Sequence, residues 1–171
     1  MTRKNETIEA LKNIPIFLDL KAFQLARLAT ACSVVELDSD FELISEGDSL
    51  DYSYILIEGD MTVEVFVPSR GNVLTSHLGP LDMCGWSALT PVVRQRTGTV
   101  TTTTKCRLLK MDSRVLIPMC EEDHDIGYFI YKRLSNVAAR SFLTTRLQLM
   151  NLIVEGAQAA TIKPHHSAIV E

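Results

Sequence analysis

The sequence has no apolar run approaching the roughly 20 residues that a bilayer-spanning helix needs. Its long C-terminal segment is interrupted by Arg140, Arg146 and Asn151, so no membrane span is expected. The chain does not open on a basic stretch followed by an apolar one, which leaves a cytoplasmic setting as the expectation. The four cysteines, Cys32, Cys84, Cys106 and Cys120, form no Cys-x-x-Cys pair. That excludes the common zinc and thioredoxin-like spacings and points to free, mostly buried thiols. Basic clusters are also lacking: 17 Lys and Arg stand against 21 Asp and Glu, for a net charge of −4. Such a balance is ill suited to neutralising a row of phosphates, so direct nucleic-acid binding is not expected.

Catalytic signatures are missing too. There is no Walker loop and no readable pair of carboxylates, and "GWSAL" lacks the second glycine of a nucleophile elbow. Of the histidines, His77 alone falls among the strand-like segments, while His124 lies beyond them and His165 and His166 sit in the tail. A metal-dependent barrel needs several converging ligands, so no metal site, no catalytic residue and no enzyme is expected.

What is present is 171 residues, 46% hydrophobic and 22% charged, enough for one domain with a full core. Two short helices are expected over residues 6–31. Asn5 or Thr7 caps the first, which ends before Pro15, and Asp19 caps the second, with Phe23, Leu25, Ala26, Leu28 and Ala29 as its buried face. Residues 33–112 change to short strands punctuated by turn formers: "SVVEL", "FELIS", "YSYILIEG", "MTVEVFVP", "NVLTSHLGP", "TGTVTTTT" and "CRLLKMD". Regular spacing of this kind predicts an all-β barrel or roll. Met61, Val63, Val65 and Val67 share one face of their strand. The threonine run reads as a strand with one polar face, because threonine is β-branched.

Helical periodicity returns over 113–155. A short helix capped by Asp112 or Ser113 is disturbed by Pro118, and a long helix follows and ends at Gly156. Its second half carries two apolar rows, Leu143, Leu147, Met150 and Val154 beside Phe142, Leu149 and Ile153. One row suffices to dock a helix, so the second implies a partner, most simply another copy of the chain. Residues 157–171 read as a flexible tail, which makes 1–156 the folded domain.

The segment richest in chemistry is "CGWSALTPVVRQRTGTV", Cys84 to Val100. A glycine lets the backbone approach a ligand closely, and a short helix beginning just after it turns unpaired N–H groups toward an anion. An arginine arriving from the following strand adds a planar, permanently charged donor fork. Two arginines follow the turn, Arg94 and Arg96, and Arg94 reads as a loop residue in solvent or a second arginine on the same strand face as Arg96.

With "LKNIPIFLDL", "SEGD" and "YILIEGDMTVEV", this segment resembles the cyclic nucleotide-binding domain, the effector module of catabolite activator protein and of cyclic-nucleotide-dependent kinases and channels. The resemblance covers about residues 8–155. It implies a mainly β fold with flanking helices: a jelly-roll-like double-stranded β-helix followed by a long C-terminal dimerisation helix. It also implies a phosphate-binding cassette made of Gly85, Trp86, Ser87, Ala88, Arg96 and Thr97. The ligand implied is a cyclic nucleotide or another small phosphate compound, and the partners implied are a second copy and an unidentified protein. Only about fifteen residues follow the long helix, too few for the DNA-binding helix-turn-helix that the family often carries. Hence the expectation is a stand-alone regulatory domain, or else a dimeric scaffold that has lost its ligand.

One residue departs from the pattern. In the family's cyclic AMP binders a glutamate follows the glycine and accepts from the ribose 2′-hydroxyl, whereas Trp86 offers one N–H and no acceptor. Loss of such a bond costs about 1–3 kcal/mol, which counts against cyclic AMP itself. Two readings of the indole stand: it packs against a ligand, or it is a core anchor that fills the space of the sugar.

Overall fold

Side-chain alternation separates two apolar clusters and so explains the architecture. In the computed structural model residues 3–161 are described, apart from Leu50, Ser69, Pro91 and Arg94. Eight strands make two four-stranded antiparallel sheets: β1 (Cys32–Leu37), β2 (Glu42–Ile44), β3 (Tyr52–Glu58), β4 (Met61–Val67), β5 (Gly71–Leu78), β6 (Met83–Cys84), β7 (Thr99–Thr102) and β8 (Cys106–Asp112). One sheet runs β1-β8-β3-β6 and the other β2-β7-β4-β5. This is the expected jelly-roll-like arrangement with flanking helices and a long C-terminal helix.

Tyr54, Leu56, Cys84, Cys106 and Leu108 from the first sheet meet Ile44, Met61 and Val100 from the second in one buried cluster. Their neighbours Ile55, Met83, Leu109 and Met111 point the opposite way. These join Leu11, Phe17, Leu28, Leu116, Ile126 and Ile130 in a second cluster under the helices. The domain is therefore layered, with one core between the sheets and one between a sheet and the helices.

Helix α1 is Arg3–Lys12 and begins upstream of both expected caps, so Thr7 is a buried helix residue. A one-turn 3₁₀ helix, Pro15–Phe17, precedes α2, Ala22–Leu28. The residue capping α2 is Lys21, two beyond the expected Asp19, and its backbone N–H donates to the Gln24 side chain at 3.0 Å. Leu25, Leu28 and Ala29 are buried as expected, but Phe23 is 63% exposed, because its place in the stripe is taken by Gln24, which donates to Asp123 and Asp125.

The strand at β6 was not anticipated from the sequence, since two residues are too short for an alternation signal. Thr75 is an extra residue on β5, opposite the Val63–Glu64 step of β4, and its hydroxyl donates to the Val63 carbonyl at 3.0 Å. The threonine run is shorter as a strand than expected, and its hydroxyls pin turns. Thr102 donates to the Asp38 carbonyl at 2.7 Å and accepts from the Phe41 N–H at 2.8 Å, while Thr104 accepts from the Asp60 N–H at 2.9 Å.

Helix α3 (Ser113–Glu122) is capped by Asp112, whose side chain accepts from the Arg114 N–H at 3.0 Å, and it contains Pro118. Helix α4 extends from His124 to Thr161, through the expected stop at Gly156. No helix among the described residues is long and apolar enough to cross a membrane.

The chain divides into two compact units, Met1–Val137 and Ala138–Glu171. In the first, α4 docks through Ile126 and Ile130, with Phe129, Leu134 and Val137 packed alongside. In the second, Phe142, Leu143, Leu147, Leu149, Met150, Ile153 and Val154 are all exposed. Both expected rows thus lie on the part of the helix beyond the docking stripe. The end of the expected tail, with His165 and His166, lies outside the described residues. The four cysteines are free, three of them buried.

Candidate functional site

The cassette begins where β6 leaves the sheet. Gly85 adopts φ +64°, a left-handed conformation, and leads into a single 3₁₀ turn, Trp86–Leu89. A side chain here would be strained, and it would also collide: a Cβ on Gly85 would stand 2.9 Å from Arg96 Nη1 and 3.0 Å from the Tyr52 carbonyl oxygen. Glycine is needed at this point for both reasons.

Arg96 reaches this turn from the segment before β7. Its backbone N–H donates to the Asp48 carbonyl at 3.2 Å, and its carbonyl accepts from Gly47 N–H at 3.0 Å. The turn of "SEGD" therefore aims the side chain inward, where Arg96 is only 6% exposed. Its Nε donates to the Ser49 carbonyl at 3.1 Å, and Nη1 donates to the Gly85 carbonyl at 2.8 Å and to Ser87 Oγ at 3.3 Å. Nη2 donates to the Tyr52 carbonyl. Hydrogen bonds from a charged donor are worth roughly 1.5–3 kcal/mol each, so the set is a strong internal clamp.

The electrostatics are unusual. Among the described residues no carboxylate forms an ion pair with Arg96; the pairs that do form are elsewhere. Burial lowers the Arg96 pKa, while Tyr54, Cys84, Asp48 and Asp51 act in the opposite sense. A guanidinium stays charged through any physiological pH. The result is a buried cation held by carbonyl dipoles without a directly paired anion, an arrangement that favours any anion able to reach it. Beside it, burial pushes the Cys84 thiol up to about 12, and Arg96 pulls the other way. Cys84 is a neutral thiol at pH 7.

The predicted site residues separate into those that converge and those that do not. Gly85, Ser87 and Arg96 meet directly. Ser87 and Ala88 are buried, and the Ala88 N–H donates to the Gly85 carbonyl at 3.1 Å, so within the turn this amide is already used. Thr97 is exposed. Arg94 lies outside the described residues. Trp86 is half-buried and packs on the cluster beneath the helices, the one containing Met83, Leu89 and Ile126. As an anchor of that core, the indole matches the core role that the sequence allowed it.

Sequence reasoning missed Ser49 and Tyr52, because they take part through backbone carbonyls, to which side-chain identity gives no clue. It also missed Tyr54, a buried residue of the between-sheet core close enough to Arg96 to affect its charge. A separate open groove of about 520 Å³ lies along α3 and α4, lined by Cys120, His124, Tyr128, Tyr131 and Lys132 among others. Among its lining residues only Lys132 is permanently charged.

Comparison with known proteins agrees with this geometry. The profile of the family described as cyclic nucleotide-binding domain matches residues 27–123. No curated protein sequence matches the chain. Among solved structures, a cyclic nucleotide-binding domain from Methylobacillus flagellatus is similar with TM-score 0.71 and 17% identity, over 86% of this chain and 83% of that one. The regulatory domain of Toxoplasma gondii protein kinase A, solved with cAMP, gives TM-score 0.64 and 18% identity over 81% of this chain and 50% of the other. The regulatory subunit of a cAMP-independent protein kinase A from Trypanosoma brucei gives 0.58 and 21% over 76% and 51%. At these identities the structures share a fold, and the profile match over more than half of the sequence decides the family: this chain belongs to the cyclic nucleotide-binding domain family.

Proposed function

We propose that this protein is a regulatory domain that senses a small phosphate-bearing ligand at Arg96 and answers through α4. One observation carries the reading: a cation, only 6% exposed and without a carboxylate partner among the described residues, stands at the turn of the cassette. An entering phosphate would exchange carbonyl dipoles for full negative charge on the same guanidinium, a stronger bond. The Gly85 carbonyl would keep the Ala88 N–H as a donor after that exchange. Because the turn also carries Trp86 and Leu89, which pack in the cluster holding Ile126 and Ile130, movement at Gly85 is passed to the base of α4. The response is a population shift between helix arrangements.

The ligand is expected to differ from cyclic AMP in what it asks of the sugar site. Trp86 supplies no acceptor for a ribose hydroxyl. Its indole packs on the cluster under the helices. A phosphate compound that makes no demand for a 2′-hydroxyl acceptor fits best. The fold accommodates both behaviours: one similar structure was solved with cAMP and another is described as cAMP-independent.

Output through a homodimer is supported by the large apolar side chains exposed among the described residues between Phe142 and Val154, seven in number. Leu143, Leu147, Met150 and Val154 form one row of that surface, and covering it removes apolar area from water. A protein partner meeting the same surface is the alternative occupant.

A second reading has its own observation. The Arg96 donors already serve Ser49, Tyr52, Gly85 and Ser87, which is what a purely structural clamp in a ligand-free scaffold requires. Thermal-shift titration with cyclic AMP, cyclic GMP, AMP and inorganic phosphate separates the two. A saturable rise in Tm that Arg96→Gln abolishes is expected of the sensor, and no rise with any compound leaves the scaffold.

A further inference from the structure

Gly79-Pro80-Leu81-Asp82 connects β5 to β6, the strand that runs into the cassette. The Asp82 N–H donates to the Gly79 carbonyl at 3.0 Å, Pro80 is the second residue, and Leu81 has φ +70°. This is the type II turn pattern, whose third position calls for glycine because φ is positive. A branched apolar residue there is strained. Burial does not account for the choice, since Leu81 is 38% exposed.

The strained residue is tied on two sides. Its N–H donates to the Leu56 carbonyl at 2.7 Å, and the Leu56 N–H donates to the Asp82 carbonyl at 2.9 Å, which fixes the turn to β3. Its own carbonyl accepts from Nη2 of Arg133, on the docked part of α4. Two residues beyond the turn, Met83 and Cys84 pair with Ile55 and Tyr54 and lead into Gly85, the carbonyl that Arg96 holds. A continuous covalent and hydrogen-bonded route thus joins the cassette to the helix base.

We propose that Arg133 and the Pro80–Leu81 turn form a latch, in which the helix holds the turn in its strained conformation and the turn holds the helix. Letting go of Arg133 allows Leu81 to relax and α4 to leave its docked position. The latch rests on contacts within residues 1–137, so it stands whether or not the cassette takes a phosphate.

Hydrogen exchange on the full chain tests it. Arg133→Ala is expected to speed exchange about tenfold, the equivalent of one charge-assisted hydrogen bond, both at Leu81–Asp82 and at the α4 amides between Gly127 and Leu134. Leu108 and Leu109 of β8 serve as the reference and stay unchanged. Combining Leu81→Gly with Arg133→Ala should restore protection at the turn, because glycine takes positive φ without help, and leave the helix base fast. A change at neither segment, at only one of them, or equally at β8 overturns the latch in the single variant. Failure of glycine to restore the turn overturns the role of strain.

Discussion

Gly85, Ser87 and Arg96 are hydrogen-bonded to one another inside the protein, whereas among the described residues between Phe142 and Val154 seven large apolar side chains are exposed. The first region resembles a finished structural element and the second an unfinished one. Yet the finished region holds a cation that forms no ion pair among the described residues, and the unfinished region repeats an orderly pair of apolar rows. The difference teaches that satisfaction of hydrogen bonds and satisfaction of charge are separate tests of a site.

The strongest way to break this contrast is Arg96→Ala. Removing the guanidinium leaves the Ser49 and Tyr52 carbonyls without this donor, so a loss of about 2–4 kcal/mol in urea unfolding is expected together with loss of any phosphate response. A neutral effect on stability would show that the clamp contributes nothing to the fold. Gly85→Ala comes next, at about 1–2 kcal/mol from the left-handed conformation alone. The added Cβ also displaces Arg96 Nη1, so ligand response should fall with it, as calorimetry can show. On the other side of the comparison, Leu147→Glu with Met150→Lys should convert dimer to monomer in light scattering while leaving the urea midpoint of residues 1–137 nearly unchanged. An unchanged mass removes the dimer from the account.

How far these features could be read from the sequence depends on what encodes them. The strands at Met61–Val67 and Cys106–Asp112 announce themselves by alternation, and the rows at Leu143 and Leu147 by helical spacing. Side-chain periodicity is a property of the chain itself. Arg96 was placed in the cassette by its neighbours, but its partners are carbonyls of Ser49, Tyr52 and Gly85, which every residue possesses and no pattern marks. Which core Trp86 joins is illegible for a related reason. Sequence order puts it next to Gly85, but the left-handed glycine and the 3₁₀ turn decide which core the indole meets. The helix stop at Gly156 failed because glycine inside a long helix costs only about 1 kcal/mol, which neighbouring good helix formers offset.

Smaller effects sharpen the interior side of the contrast. The Cys84 thiol, pushed up to about 12, stays protonated in the folded state above pH 9 while the unfolded thiol ionises. The folded state then binds more protons, so stability falls as pH rises from about 9 toward 12, by about 1.4 kcal/mol per unit. Urea midpoints measured for wild type and Cys84→Ala at pH 8 and pH 10 should show that slope in the first and a shallower one in the second. Trp86→Phe is the smallest: because the indole packs beneath the helices, ligand affinity should change less than twofold, roughly 0.4 kcal/mol or below. A large loss would place the indole against the ligand after all.

The most direct measurement is isothermal titration calorimetry of the wild-type chain, Arg96→Gln and Trp86→Phe with cyclic AMP, cyclic GMP, AMP and inorganic phosphate, with circular dichroism confirming that each variant is folded. Saturable one-site heat with at least one phosphate compound, kept in Trp86→Phe and lost in Arg96→Gln, is the predicted result. No heat with any of them, or heat that survives Arg96→Gln, contradicts the claim that the buried guanidinium is the receptor.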